Sequence, residues 1–270
     1  MNKHNKEKIY SAIVYLYLIF VCILILMPLG ITLYRAIFIY DENGNLTITI
    51  EAYFTISEAF WEKLQTSIAI ALVTVAITTA VSLPVAYGIA RYDFGGKKLL
   101  FTLLNGVWYV PGITYGLSLV LAYYFVYRFL LGFWGFVAAY STGFMLLSLL
   151  TMIVAFKNFD PVYEEAARCL GAGRLKTFLR VTLPLIGPGI TAGVILVLVL
   201  SLNEFITALL ISLPTRVKTA PLQVFSDIRH AGVRPFVAAE ATILQLVSLA
   251  IVIIYLKFFG TKYLRGSIMI

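Results

Sequence analysis

The sequence predicts an all-α protein that crosses a membrane several times. Of its 270 residues, 61% are hydrophobic and only 13% are charged, and the mean hydropathy is +0.93. A soluble globular domain has about 45–50% apolar and about 25% charged residues. The apolar residues form long stretches separated by polar connections, and a helix needs about 20 such residues to cross the hydrocarbon core. We therefore expect a polytopic membrane protein with six transmembrane helices.

Six apolar stretches are long enough to span a bilayer. The predicted spans are 10–39, 64–90, 99–127, 132–156, 185–211 and 236–259. The first follows Lys3, Lys6 and Lys8 and is far longer than the apolar core of a signal peptide, about 7–15 residues, so we interpret it as an uncleaved helix. We expect residues 1–60 to hold a cytoplasmic tail, this helix and an external loop, and residues 61–270 to hold a five-helix core.

The third predicted span differs from the others because it contains Asn105, Pro111 and Gly112. These residues predict a kink or a break in the helix. Such irregular backbone is tolerated within a membrane where protein or a water-filled cavity lies alongside.

The formal net charge of +8 is explained by membrane topology. With the N-terminus inside, fourteen of the 21 Lys and Arg residues fall on the cytoplasmic side. The seven on the other side are Arg35, Lys63, Arg128, Arg216, Lys218, Arg229 and Arg234. Cytoplasmic loops carry an excess of basic residues, so we expect a multi-pass protein of the cell (inner) membrane with both termini in the cytoplasm. The basic residues lie between apolar stretches and not on one face, so we expect no nucleic-acid partner.

The connection at residues 157–184 is long, charged and punctuated by glycine and proline. Membrane helices need only short connections, so this segment is suited to contact something in water. We expect Asp160 to cap a first short helix and Gly171 to end it in a left-handed conformation. A second helix, about 174–181, should end before Pro184, because a proline ring disfavours helix at the preceding residue.

Considered as residues alone, this connection has two interpretations. Ala166 and Ala167 are small and leave room for a partner to approach closely, and Glu165 offers polar contacts. Alternatively, the segment is an amphipathic hairpin that lies on lipid headgroups through its basic residues between 174 and 180.

A longer motif runs through the same segment. It reads Glu-Ala-Ala, three residues, Gly, nine residues, Val181, one residue, Leu-Pro. This spacing resembles the signature of the membrane subunits of ATP-binding-cassette importers, in which Ile stands at the position of Val181. The matching residues are Glu165, Ala166, Ala167, Gly171, Leu183 and Pro184. The resemblance covers most of the chain from about residue 60 onward.

The resemblance implies a type I importer permease fold with a cytoplasmic coupling helix. In that family the helix docks into a groove on the ATPase subunit, so an ATPase-coupling role is implied for the six motif residues. The implied partners are two ATPase subunits, a second permease subunit that is identical or different, an extracytoplasmic solute-binding protein and membrane lipid. ATP hydrolysis is implied on the separate ATPase. With two His and two Cys residues and no catalytic motif, we expect no catalytic site, metal site or cofactor on this chain.

Asn203 and Glu204 interrupt the fifth predicted span and are the candidate substrate-pathway residues. A carboxylate near the centre of a membrane helix costs about 2.5–3.5 kcal/mol on insertion scales, so it normally faces protein or water. Glu204 either lines the substrate pathway, where it meets a cationic solute or the opposite subunit, or is a hydrogen-bonded structural carboxylate. Gly189 and Gly193 form a small-residue motif of the kind that permits close helix contact, for example with another subunit.

The stretch Ser201–Phe205 is similar to the corresponding stretch of spermidine/putrescine permeases, and related iron, thiamine, phosphonate and oxyanion permeases carry similar strings. The expected function is therefore that of a permease subunit in an ATP-driven importer of polyamines or related small solutes. The alternative is an ATP-independent secondary transporter or channel subunit. That alternative predicts intramembrane charges on several helices, whereas only Glu204 stands out in mid-span.

Overall fold

The computed structural model describes residues 3–40, 45–126, 131–215 and 217–257. The α-helices are α1 (Lys3–Ile37), α2 (Glu51–Phe54), α3 (Glu58–Arg91), α4 (Lys97–Gly106), α5 (Gly112–Phe125), α6 (Phe133–Lys157), α7 (Val162–Cys169), α8 (Arg174–Thr177), α9 (Leu183–Asn203), α10 (Ile206–Ser212), α11 (Ala220–Ala231) and α12 (Pro235–Tyr255). A 3₁₀ turn (Val107–Tyr109) follows α4, and a π-helical turn (Phe178–Thr182) joins α8 to α9.

A small antiparallel hairpin begins at the end of the first predicted span, 10–39, and continues into the predicted external loop. Its strands are β1 (Phe38–Tyr40) and β2 (Leu46–Ile48), and Ile39 pairs with Thr47. The other regular elements in the part that the structure describes are helices, as the sequence predicts.

Five helices in the described ranges are long and apolar enough to cross a membrane. They are Tyr10–Ile37, Glu58–Arg91, Phe133–Lys157, Arg174–Asn203 and Pro235–Tyr255. The remaining predicted span, 99–127, is divided between α4, the 3₁₀ turn and α5, which has only 14 residues. The break at Pro111 confirms the predicted interruption, while the count of six spans stays a prediction. Residue 127, Arg128, Arg216 and residues 258–259 of the sixth predicted span lie outside the described residues.

The chain divides into two compact units. One comprises Met1–Phe60 and Val224–Val247, and the other comprises Trp61–Gln223 and Ser248–Ile270. The predicted division at residue 60 stays a prediction.

In the first of these units, helix α1 is predominantly apolar on all sides from Tyr10 to Ile37. None of the residues in its most apolar 18-residue window is buried within the chain. A helix that is hydrophobic all round needs lipid or other protein around it, which fits the interpretation of α1 as a membrane-spanning helix.

The second unit is organised around the packing of α6 against α9. A Cβ atom added at Gly189 would meet the Cβ atom of Ala155, and one added at Gly193 would meet Oγ1 of Thr151. The two glycines therefore let the backbones of α6 and α9 approach closely, as small residues do in membrane helix pairs. This motif faces α6 of the same chain, so the predicted use of the motif for a contact with another subunit is wrong.

Two apolar clusters lie along this helix pair. The buried members of the first are Ile70, Tyr123, Phe136, Val137, Ala139, Tyr140, Ala208, Ile211 and Leu222. Those of the second, next to the connection at 157–184, are Ala86, Ile89, Leu149, Met152, Ile153, Phe156, Phe159 and Ile186. The first cluster joins α6 to α5 and α10, and the second joins α6 to α3 and α9.

One prediction for the connection at 157–184 is wrong. Helical structure does not stop before Pro184 but continues from Arg174 to Asn203. In a regular α-helix the proline ring would clash with the carbonyl group of Arg180. The wider π-helical turn covers that residue, and Pro184 lies in the first turn of α9, where its missing N–H costs little.

The α6–α9 contact gives a matched pair of substitutions. Gly189→Ala should lower the melting temperature of the purified chain in detergent, because overpacking a tight contact costs about 1–3 kcal/mol. Gly187→Ala is the control, since a Cβ atom there meets nothing within 4 Å. It should leave the melting temperature unchanged or raise it, because Ala is about 1 kcal/mol more favourable than Gly within a helix. Equal melting temperatures for the two variants would contradict the close α6–α9 contact.

Candidate functional site

Helix α7 presents most of the predicted coupling residues to solvent. Oδ1 of Asp160 accepts a hydrogen bond from the amide of Val162 at 3.0 Å, which caps the start of the helix as the sequence predicts. Glu165 and Ala166 are exposed, and Ala167 is half-buried. These three residues therefore form an accessible surface on one short helix.

Gly171 ends α7 in the left-handed conformation that the sequence predicts, with φ at +84°. Its amide donates to the carbonyl group of Arg168 at 2.9 Å, and the amide of Ala172 donates to that of Ala167 at 3.1 Å. This pair of bonds is the Schellman motif, which fixes the direction of the chain after a helix. A Cβ atom on Gly171 would meet nothing within 4 Å, so the requirement for glycine comes from its φ angle alone.

Large apolar side chains surround this turn and were missed by the sequence analysis. Leu170 is 90% exposed and Leu175 is 72% exposed. Leucines placed so fully in water are typical of an interaction surface when they occur together. Their position on either side of Gly171 was the signal that could have identified them.

Leu183 and Pro184 are separate from that surface. They form the start of α9, where Leu183 is half-buried and Pro184 is exposed. The structure thus brings Glu165, Ala166, Ala167 and Gly171 together and places the last two motif residues at the foot of a membrane helix.

Adjacent residues of α7 have opposite environments. Glu165 faces solvent, whereas Glu164 is only 7% exposed and is the one buried residue of this helix. Glu164 was not among the residues predicted from the sequence. Its spacing of four residues from Arg168 is typical of an ion pair on a helix and was the available signal.

The second predicted site lies where α9 gives way to α10. Glu204 leaves the helical conformation, with φ at −68° and ψ at 123°. Its Oε1 accepts a hydrogen bond from the amide of Thr207 at 2.8 Å, so it caps a free amide in the first turn of α10. Asn203 is exposed, and its Nδ2 donates to the carbonyl group of Val199 at 2.8 Å and to Oγ of Ser248 at 3.0 Å.

The two helix breaks of the core meet at one cavity of about 210 Å³. The break between α4 and α5 contributes Trp108, and the break between α9 and α10 contributes Glu204. Tyr115 and Tyr140 complete an aromatic wall, and the Tyr115 hydroxyl lies 2.6 Å from Oγ1 of Thr142. Irregular backbone at membrane depth is tolerated where it lines such a cavity, as the sequence analysis expects for the third span.

The described residues therefore combine an exposed helical turn in a polar connection with a small cavity between broken membrane helices. The model of the family of binding-protein-dependent transport system inner membrane components matches residues 82–264 of the sequence. The chain belongs to this family. It is thus a permease of a binding-protein-dependent ATP-binding-cassette importer and a multi-pass protein of the inner membrane, which sets aside the ATP-independent alternative.

Two relatives lie at the polyamine end of the family. The chain is 29% identical over 197 residues to the spermidine/putrescine transport system permease protein PotC of Escherichia coli strain K12, which covers 73% of this chain and 74% of that protein. It is 32% identical over 188 residues to the PotC protein of Haemophilus influenzae, with 70% and 72% covered.

A solved structure shares the fold. A chain of a bacterial ATP-binding-cassette transporter involved in the import of the acidic polysaccharide alginate matches with a TM-score of 0.69 at 16% sequence identity. The match covers 96% of this chain and 99% of that one. It confirms the type I importer permease fold that the coupling motif implies.

Proposed function

We propose that this permease imports a small cationic solute of the polyamine type, driven by ATP hydrolysis on separate subunits. The complete importer would contain two ATPase subunits, a second permease subunit that is identical or different, and an extracytoplasmic solute-binding protein. Similarity to spermidine/putrescine permeases supports the solute class, and membership of a binding-protein-dependent family supports the partners.

The exposed turn after α7 carries the proposal that this chain couples to an ATPase. Leu170 and Leu175 project into solvent beside Gly171, while Glu165 and Ala166 offer a polar and a small contact on the same helix. Apolar side chains surrounded by a rim of polar groups are typical of a protein–protein contact surface. The headgroup alternative would instead use Arg174, Lys176 and Arg180.

We infer that both termini and the connection at 157–184 lie in the cytoplasm. The distribution of basic residues supports this orientation, with fourteen of 21 Lys and Arg residues on that side. The docking turn would then face the compartment in which ATP is available.

The cavity at the helix breaks is our proposal for a part of the substrate pathway. Its lining includes one acidic residue, Glu204, and the aromatic residues Trp108, Tyr115 and Tyr140. Aromatic faces and a carboxylate both attract ammonium groups, the former by cation–π interaction. We place Asn203 beside this pathway because it is exposed at the end of α9.

Transport would then proceed by alternating access. ATP binding draws the two ATPase subunits together, and each carries its docked coupling helix with it. The helices connected to α7 move as rigid elements, so the cavity opens to the outside, receives the solute and later releases it inward. The role of α7 is mechanical, and it needs no catalytic group.

The coupling role predicts a selective effect of charge reversal on α7. In a reconstituted complex, Glu165→Lys should lower solute import on the order of tenfold, within the range of typical coupling free energies, while the permease remains folded in the membrane. Asp93→Lys is the matched control, because Asp93 is an exposed acid in a neighbouring connection and should leave import unchanged. Equal import by both variants and the unsubstituted complex would contradict the coupling role. If Glu165→Lys weakens the binding of the permease to lipid without lowering import, the headgroup alternative is favoured.

The pathway role predicts that Glu204 can lose its charge without losing its capping bond. Glu204→Gln keeps an oxygen that can accept from Thr207, so the melting temperature should change little. Import of radiolabelled spermidine should fall about tenfold, since a bond to a charged group contributes about 1.5–3 kcal/mol. Glu204→Ala should also lower stability by about 1 kcal/mol through the lost cap. Unchanged spermidine import by Glu204→Gln would leave Glu204 with a structural role only.

A further inference from the structure

A buried carboxylate connects α7 to two of the long helices. Glu164 is the one buried residue of α7, whereas Val162 and Tyr163 at the start of the helix are exposed. Short helices are usually held to a protein by apolar side chains. A carboxylate in that position must be paired to avoid the cost of burying its charge.

The Glu164 carboxylate has partners on two other elements. Its Oε1 accepts a hydrogen bond from Oγ1 of Thr182 at 2.7 Å and lies 3.7 Å from Nη2 of Arg91. Its Oε2 lies 3.8 Å from Nη2 of Arg168, on the same helix. Thr182 is the last residue of the π-helical turn before α9, and Arg91 is the last residue of α3. One side chain of α7 therefore connects to the cytoplasmic ends of two long helices.

The buried guanidinium of Arg91 needs the Glu164 carboxylate as its counter-charge. The Arg91 side chain is only 16% exposed, and its Nε and Nη2 have no hydrogen-bond partner among the described residues. Its guanidinium lies over the ring of Phe159, 5.2 Å from the centroid. Glu164 is the acid that forms an ion pair with it in the described part of the chain. Removing the Glu164 charge would leave a buried guanidinium without a counter-charge.

Aromatic rings beneath this ion pair stiffen the helix ends. The ring of Tyr87, on α3, lies 5.4 Å from that of Phe156, on α6, and 5.4 Å from that of Phe178 in the π-helical turn. The ends of α3, α6 and α9 thus form one packed base.

We infer that Glu164 is the positioning residue that transmits the movement of the coupling helix to α3 and α9, with Arg91 as its counter-charge and Thr182 as its hydrogen-bond donor. This inference rests on the proposed function, since it needs α7 to be moved by an ATPase. It assigns a different role to each of two neighbouring acids. Glu165 contacts the ATPase, and Glu164 attaches α7 to the ends of α3 and α9.

The test compares solute import with ATP hydrolysis in the same proteoliposomes. They contain the complete importer, and the probe is radiolabelled spermidine delivered by the solute-binding protein. Glu164→Gln keeps an acceptor for Thr182 but removes the charge. It should lower the number of solutes imported per ATP hydrolysed about tenfold, while basal ATP hydrolysis remains. Asp93→Asn, which removes an exposed charge two residues from Arg91, should keep the ratio of the unsubstituted complex.

A double substitution tests whether the two charges act as a unit. Arg91→Gln alone should lower the ratio as Glu164→Gln does, and the double variant should fall no further than either single one, because the pair is already broken. Additive losses would overturn the inference. A parallel fall of import and hydrolysis at a constant ratio would also overturn it, because that pattern indicates lost assembly.

Thr182→Val keeps the inference falsifiable if Glu164→Gln does not accumulate. This variant removes only the hydrogen bond and should lower the ratio in the same direction, and an unchanged ratio would overturn the inference. If the unsubstituted complex shows no ATP-driven import of spermidine, the proposed function fails and this inference fails with it. Normal import with an unaltered ratio in Glu164→Gln overturns this inference alone.

Discussion

The close packing of α6 against α9 is the constraint on which both candidate sites depend. Gly189 and Gly193 bring the two backbones together, so the helices form one closely packed pair. Helix α9 begins at the Leu-Pro end of the coupling motif and ends at Asn203, beside the cavity. With 21 residues it is about 30 Å long at 1.5 Å per residue, enough to connect events at one membrane surface with events near the other.

Local rules predicted the features that local backbone chemistry determines. Gly171 was expected in a left-handed conformation and has it, because residues with a Cβ atom avoid that region of φ. Pro111 was expected to break a helix and does so, because it lacks the N–H that an α-helix requires. The capping role of Asp160 was predicted because its side-chain oxygen can accept a hydrogen bond from a free amide in the first turn of a helix. The spacing of the coupling motif also predicted the family.

Features set by distant contacts were not predictable in this way. Glu164 and Glu165 are chemically identical neighbours, and only the positions of Arg91 and Thr182 decide that Glu164 faces inward. Pro184 was expected to end a helix, yet a π-helical turn accommodates it. For Glu204 the sequence left two roles open, and the structure adds a capping bond from its carboxylate and a cavity that the same residue lines.

The central claim is that the turn after α7 contacts an ATPase in the cytoplasm, and the chain contains a natural probe for it. Cys169 ends α7 and is exposed, and Cys22 is the other cysteine. In a Cys22→Ser variant, a short thiol-reactive cross-linker in native membranes should join Cys169 to the ATPase subunit, with a yield that changes when ATP is added. Modification of Cys169 by a membrane-impermeant thiol reagent applied outside intact cells, without a cross-link to the ATPase, would contradict the account.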